Sequence, residues 1–314
     1  MRRLLRKVLL GVGGGGAIVA FALSLSPTEA AVRSGLPPAG QSLVKPGPAG
    51  RPIRRVLILS EDGMRPELIY KQHMPWHERL YQQGAYSWHA RTIRTASTLP
   101  SHASMLSGVD VNLHRLTWNN WRPSKGFIQA PTIFKMAVDQ GMKTAAFVGK
   151  FKLRHILPAG TVGVFERPGY YCRKVSEEAA RYLEKEKPEL TFVHFSDPDE
   201  AGHSAGWLSE RQKRAAQTSD ACLGTLVQAL ERAGTLDDTL IIVSADHGGH
   251  NHNHSGALAC DREIPWIAHG PNVRRGYLIR SRISTMDTAP TALTALGLPV
   301  PPGITGRPIK EIFE

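Results

Sequence analysis

The sequence predicts an α/β fold: a three-layer sandwich whose mostly parallel central sheet is covered by helices on both faces. Two observations predict it. Short apolar runs alternate with helical patterns from residue 56 to the end. Several of those runs finish on a carboxylate or imidazole, as buried strands do where sites assemble at their C-terminal ends. At 314 residues, 41% hydrophobic and 21% charged, the chain suits one large domain.

Residues 1–30 read as a leader. Met-Arg-Arg-Leu-Leu-Arg-Lys is a positive start, 8–26 is uncharged, and small residues around Ala30 suit cleavage. The alternative is an uncleaved anchor through 8–26, since 19 uncharged residues just span a bilayer. Gly11 and the glycines at 13–16 dilute the hydrophobicity and favour export, to the periplasm or outside. Arg2-Arg3 invites a twin-arginine reading, but the residues after it fit that signal poorly. Residues 31–53 are rich in Pro, Gly and Ala and form a linker, and 54–314 is the folded body.

Within the body, strands are expected at 56–60, 145–148, 190–195, 240–244 and 264–268. Helices are expected at 67–83, 132–140, 176–185 (opening on Ser-Glu-Glu), 210–233 and 288–296, with another starting near Ala103.

Charge narrows the function. The formal net charge is +12, but residues 1–55 carry nine basic residues against Glu29, leaving +4 for the remainder. A body so mildly basic is not built to bind a nucleic-acid duplex. The membrane enters only through the N-terminal segment, if that is retained. Three cysteines, Cys172, Cys222 and Cys260, are too few for a disulfide scaffold and lack zinc-knuckle spacing; an exported location permits one bridge and one free thiol.

Three distant stretches carry metal-ligand chemistry: Ser60-Glu61-Asp62-Gly63, Asp199-Glu-Ala-Gly-His203, and Asp246-His247-Gly-Gly followed by His254. Carboxylates with neutral imidazoles suit zinc, with manganese or iron as substitutes. Two such ions clamp the attacking and leaving oxygens of a phosphoryl transfer. A fourth stretch, Ser97-Thr98-Leu99-Pro100-Ser101-His102, offers a hydroxyl for activation ahead of a helix start whose N–H groups suit a phosphate. Alone, an Asp-Gly is usually a turn, a His-rich tract a solvated loop, and Thr98 a helix cap.

Taken in order, these motifs resemble the alkaline phosphatase superfamily, and within it the type I phosphodiesterase/nucleotide pyrophosphatase family. The likeness runs from Val56 to Gly306-Arg-Pro-Ile. It implies that Asp62, Thr98, Asp246 and His247 hold one zinc, and Asp199, His203 and a third histidine the other. His254 stands in the place of that histidine in bacterial relatives, with His250 and His252 as competitors. The resemblance also implies Thr98 as nucleophile and Asn119, 21 residues on, as a phosphoryl contact; Asn120 is its neighbouring rival. The usual His-Gly is His114-Arg115 here.

Lys152 and Arg154 resemble the Lys-x-Arg pair with which some Thr-dependent monoesterases hold a dianion. A basic surface turn formed with Lys143 and Lys150 is the alternative. The expected substrates are small-molecule phosphate esters or nucleotides, diesters and pyrophosphates first and monoesters second. A phosphonate hydrolase and an inactive metal-binding protein are further alternatives. No Cys/Ser-x-Pro-x-Arg stretch occurs, so sulfate ester hydrolysis is not expected. The body is short for this family, which implies a small or absent cap. Trp118, Trp121 and Trp207 are candidates for stacking on a base.

Overall fold

In the computed structural model, residues 51–254 and 258–313 are described, all within a unit spanning Val44–Glu314. The expected leader and nearly all of the linker lie outside the described residues. Eight strands form one sheet in the order β4-β3-β5-β1-β6-β7-β2-β8. They are β1 (Arg55–Glu61), β2 (Ala85–Arg91), β3 (Thr144–Val148), β4 (Val164–Glu166), β5 (Leu190–Phe195), β6 (Thr239–Ser244), β7 (Glu263–His269) and β8 (Tyr277–Leu278).

All neighbouring pairs are parallel except those of β7, which runs against both β6 and β2. β1, β3, β5 and β6 are almost wholly buried, which explains their unbroken apolar runs. β2 was not expected. It reads Ala-Tyr-Ser-Trp-His-Ala-Arg, with buried and more exposed positions alternating toward the sheet edge, so its hydrophobicity is half hidden.

Ten α-helices are described: α1 (Pro66–Tyr70), α2 (Pro75–Gln82), α3 (Thr98–Ser107), α4 (Val111–His114), α5 (Ile133–Asp139), α6 (Cys172–Glu186), α7 (Asp197–Ala205), α8 (Glu210–Arg232), α9 (Ala259–Arg262) and α10 (Thr288–Ala295). α8 packs on α6, α7 and α2, while α3, α5 and α10 pack on one another elsewhere on the sheet.

Three helix expectations need correction. The helix at 67–83 is two helices, because Pro75 lacks the N–H a continuing helix needs and restricts Met74 before it. The helix at 176–185 begins a turn earlier, at Cys172, whose N–H donates to Asp197 Oδ2 at 2.8 Å. That carboxylate caps the helix from another element, and Ser176 lies inside it. The helix expected near Ala103 starts at Thr98 itself, since Pro100 is tolerated in a first turn.

Candidate metal centre

The strand ends deliver the site. β1 runs into Asp62 and Gly63, β6 into Asp246 and His247, β3 into Lys150, and β5 into α7, which carries Asp199 and His203 one turn apart. Gly63 is required where it stands. Its φ is +71°, and a Cβ there would lie 2.9 Å from the Asp199 Cα. This close approach brings the first motif against the second.

Asp62, Asp246 and His247 offer ligand atoms within 4.8 Å of one another, and so do Asp199, His247 and His254. His203 Nε2 lies 3.3 Å from Asp199 Oδ1 and 3.1 Å from His254 Nε2. His247 and His254 stack with ring centroids 3.8 Å apart. Of the three candidates for the last histidine, His254 is the one at this cluster. His250 meets Asp261 at 2.6 Å, and His252 bonds the backbone of His203.

Two features make this donor set suited to cations. First, each imidazole is oriented by its Nδ1, which donates to a backbone carbonyl: His203 to His252 at 2.9 Å, His247 to Gly248 at 2.8 Å, and His254 to Ala96 at 2.8 Å. The lone pair of each ring therefore sits on Nε2, and the three Nε2 atoms converge with the carboxylates. Second, Asp62 Oδ1, Asp199 Oδ1, Asp246 Oδ2 and His247 Nε2 are all buried without a hydrogen-bond partner. Buried orphan acceptors of this kind are costly unless a cation completes them.

Lys150 organises the remaining carboxylate oxygens. Its ammonium is 2.7 Å from Asp62 Oδ2 and also pairs closely with Asp199 Oδ2. Burial opposes the charge on all three groups, but their mutual attraction outweighs it. Asp62 and Asp199 are held well below the usual carboxylate range, and Lys150 is pushed above the usual lysine value. His194 adds a 2.9 Å contact to Asp62 Oδ2.

Thr98 is buried in the first turn of α3. Its carbonyl accepts from His102 Nδ1 at 2.7 Å, and the same ring lies 3.5 Å from Asp246 Oδ2, which sets the start of α3 beside that carboxylate. Asn119 Oδ1 accepts from the Leu99 N–H at 2.9 Å and from Lys152 Nζ at 3.0 Å. Both bonds fall on its oxygen, which leaves the amide N–H as the donor face. Lys152 is half-buried, and burial followed by the charge of Lys150 lowers it to about 8.

Arg154 does not join Lys152. Its guanidinium lies 4.8 Å from the Phe165 ring centroid. Both residues belong to the 3-10 turn Phe151–His155, where positions two apart are rotated by roughly 240° and face different ways. Trp207 is a wall rather than a stacking surface. It is buried, donates from Nε1 to the Gly63 carbonyl at 3.0 Å, and presses on Gly249, where a Cβ would meet the ring at 2.2 Å. Trp121 is exposed and packs edge-on to Phe151 at 4.9 Å, while Trp118 is half-buried against His155.

Lys150 and His194 are the site residues that sequence reasoning missed. Each had a signal: a lysine just beyond a buried strand, and a histidine inside the apolar run Leu-Thr-Phe-Val-His-Phe.

Comparison with known proteins places the chain among phosphoryl-transfer proteins by likeness. The chain is 32% identical over 158 residues to the 2,3-bisphosphoglycerate-independent phosphoglycerate mutase of Gloeobacter violaceus, covering 45% of this chain and 27% of that protein. It is 34% identical over 164 residues to the mutase of Desulforudis audaxviator, covering 49% and 29%. The chain thus spans less than a third of the length of these curated relatives.

Among solved structures, an inactive murine ectonucleotide pyrophosphatase/phosphodiesterase 5 in complex with AMP superposes with a TM-score of 0.69 at 15% identity, covering 83% of this chain and 100% of that one. The phosphonate monoester hydrolase of Silicibacter pomeroyi gives 0.64 at 16%, covering 82% and 76%. At such identities the likeness is one of fold. The model of type I phosphodiesterase/nucleotide pyrophosphatase matches residues 56–266, more than half of the chain. The chain belongs to the type I phosphodiesterase/nucleotide pyrophosphatase family.

Proposed function

We propose that this protein hydrolyses phosphoric esters with two zinc ions, acting first on phosphodiester or nucleotide pyrophosphate bonds. Asp62, Thr98, Asp246 and His247 hold one ion; Asp199, His203 and His254 hold the other. Bound there, the ions lower the pKa of the Thr98 hydroxyl and neutralise charge on the transferring group. The observation that carries this reading is the convergence of three Nε2 lone pairs with unpartnered carboxylate oxygens beside a threonine in a helix's first turn.

Thr98 Oγ attacks phosphorus and the bond to the leaving group breaks, giving a phosphothreonine-type intermediate. Water attacks from the vacated side and restores the hydroxyl. The Asn119 amide donates to an equatorial oxygen, fixed for that purpose by Leu99 N–H and Lys152. Trp121 and Phe151 offer an exposed aromatic edge for a base or aryl leaving group.

A monoesterase is the second reading, favoured by the placement of the Lys152 ammonium on Asn119, where it would meet the extra charge of a dianion. The likeness to phosphoglycerate mutases, whose named substrate is a phosphate monoester, points the same way. Export of the protein is part of the proposal. The Cys172–Cys222 disulfide supports it, since such bonds persist in oxidising compartments.

The test is steady-state hydrolysis of bis-p-nitrophenyl phosphate against p-nitrophenyl phosphate by zinc-loaded protein. Faster diester turnover, lost in Thr98→Ala and after chelation, is expected. Preference for the monoester would select the second reading. Metal-independent turnover, or turnover retained in Thr98→Ala, would sink both.

A further inference from the structure

The histidines of the stretch 250–254 go to different places. His254 joins the metal centre and His252 exchanges bonds with the backbone of His203, whereas His250 turns the other way. There it meets Asp261 Oδ1 at 2.6 Å, and with Cys260 the three residues offer ligand atoms within 4.8 Å of one another. Asp261 is fully buried and His250 about a quarter exposed. Cys260 is a free thiol of intermediate exposure.

We propose that His250, Cys260 and Asp261 form a third metal site, separate from the dinuclear centre, for a zinc-like divalent ion. One sulfur, one nitrogen and one oxygen donor suit borderline-soft ions and disfavour magnesium or calcium. Ligand bonds of about 2.0–2.3 Å ask that the 2.6 Å His250–Asp261 hydrogen bond open as the three donors rearrange around the ion, with water in the fourth position. Binding releases the Cys260 proton to solvent. Arg65, which donates to the Gly249 carbonyl at 3.1 Å and pairs with Glu67, lies beside this turn.

The site has a task in the fold. Gly248 N–H donates to the Asp261 carbonyl at 2.8 Å and Gly249 N–H to the Cys260 carbonyl at 3.0 Å. His250 and Asn253 then close a tight turn through two 2.8 Å backbone bonds. An ion on His250, Cys260 and Asp261 fastens this turn between His247 and His254, both of which serve the dinuclear centre.

Cobalt substitution of the full chain tests this directly. The dinuclear centre has only nitrogen and oxygen ligands, and Cys172 and Cys222 are bonded to each other, so a thiolate-to-cobalt charge-transfer band can arise only at Cys260. The expected result is such a band, saturating at one equivalent per chain, with three ions per chain by elemental analysis. Cys260→Ser and His250→Ala should each abolish the band and lose one ion while keeping the other two. Absence of the band in the unaltered protein would overturn the proposal. So would a band that survives His250→Ala at the same cobalt concentration, which would mark a lone thiol binding adventitiously. Failure of the dinuclear reading would look different: the band would remain and the two sulfur-free ions would be missing.

Discussion

Lys150 is a buried cation lying between Asp62 and Asp199, one carboxylate from each of two candidate ligand groups. Without metal it is the principal positive charge facing them, and breaking a buried pair leaves its partners uncompensated at about 3–5 kcal/mol. Lys150→Met should therefore destabilise the metal-free protein by about that amount in urea titrations. Zinc should recover most of the loss, because the ions then supply the missing charge. Equal destabilisation with and without zinc would refute this role. Lys152 makes a separable prediction. A charge-assisted hydrogen bond is worth about 1.5–3 kcal/mol, so Lys152→Met should lower monoester kcat/KM roughly 10–100-fold and spare the diester. Because burial, then Lys150, lowers Lys152 to about 8, its charge is present below that pH. Monoester preference should fade as pH rises through it. Equal loss on both substrates would mean that Lys152 only braces Asn119. Of the candidate ligands, Asp62, Asp246 and His247 stood out because each follows a strand, and Asp199 and His203 because of their one-turn Asp-x-x-x-His spacing. Lys150 was not, because a sequence shows four neighbouring cations without showing which one points inward.

Asp220 and His77 fasten three elements together. Asp220, on α8, accepts the N–H groups of Trp76 (3.0 Å) and His77 (2.9 Å) in the first turn of α2, doing the work of an N-cap from another helix. His77 then bridges Asp220 and Glu61 at 2.8 Å each, tying both helices to the end of β1, one residue before Asp62. Burial opposes its charge, but Glu61 and Asp220 outweigh that and raise His77 to about 10. A raised histidine contributes stability that is complete below its unfolded value near 6.5 and lost as pH rises through about 10. The melting temperature should thus fall between these values more steeply in the unaltered protein than in His77→Gln. Parallel pH profiles for the two would show that His77 is not the group responsible. Sequence patterning could not reveal this joint. The apolar rhythm of 67–83 ran straight across Pro75, and the capping carboxylates of α2 and α6 come from residues far along the chain. The same limit hid α7, although Pro198 and three acids in its first turn were a start signal in plain view.

At the scale of the molecule, the layers and the parallel core were readable from alternating runs, whereas the reversed direction of β7 was not, since a buried strand reads alike both ways. Charge and cysteine content together carry the last prediction. Arg2, Arg3, Arg6 and Lys7 open the segment proposed to direct export, and the body holds one disulfide linking α6 to α8 across 50 residues. Closing a loop of that length stabilises by on the order of 4 kcal/mol in the chain-entropy account, roughly 8–16 °C in melting temperature for a domain of this size. Protein recovered after export should show one titratable thiol, Cys260, when denatured in chelator. The body made in a reducing cytoplasm should show three and melt lower by about that margin, and dithiothreitol should bring the exported form down to meet it. Three thiols in the exported protein would separate the disulfide from the location and leave the N-terminal segment without its supporting argument.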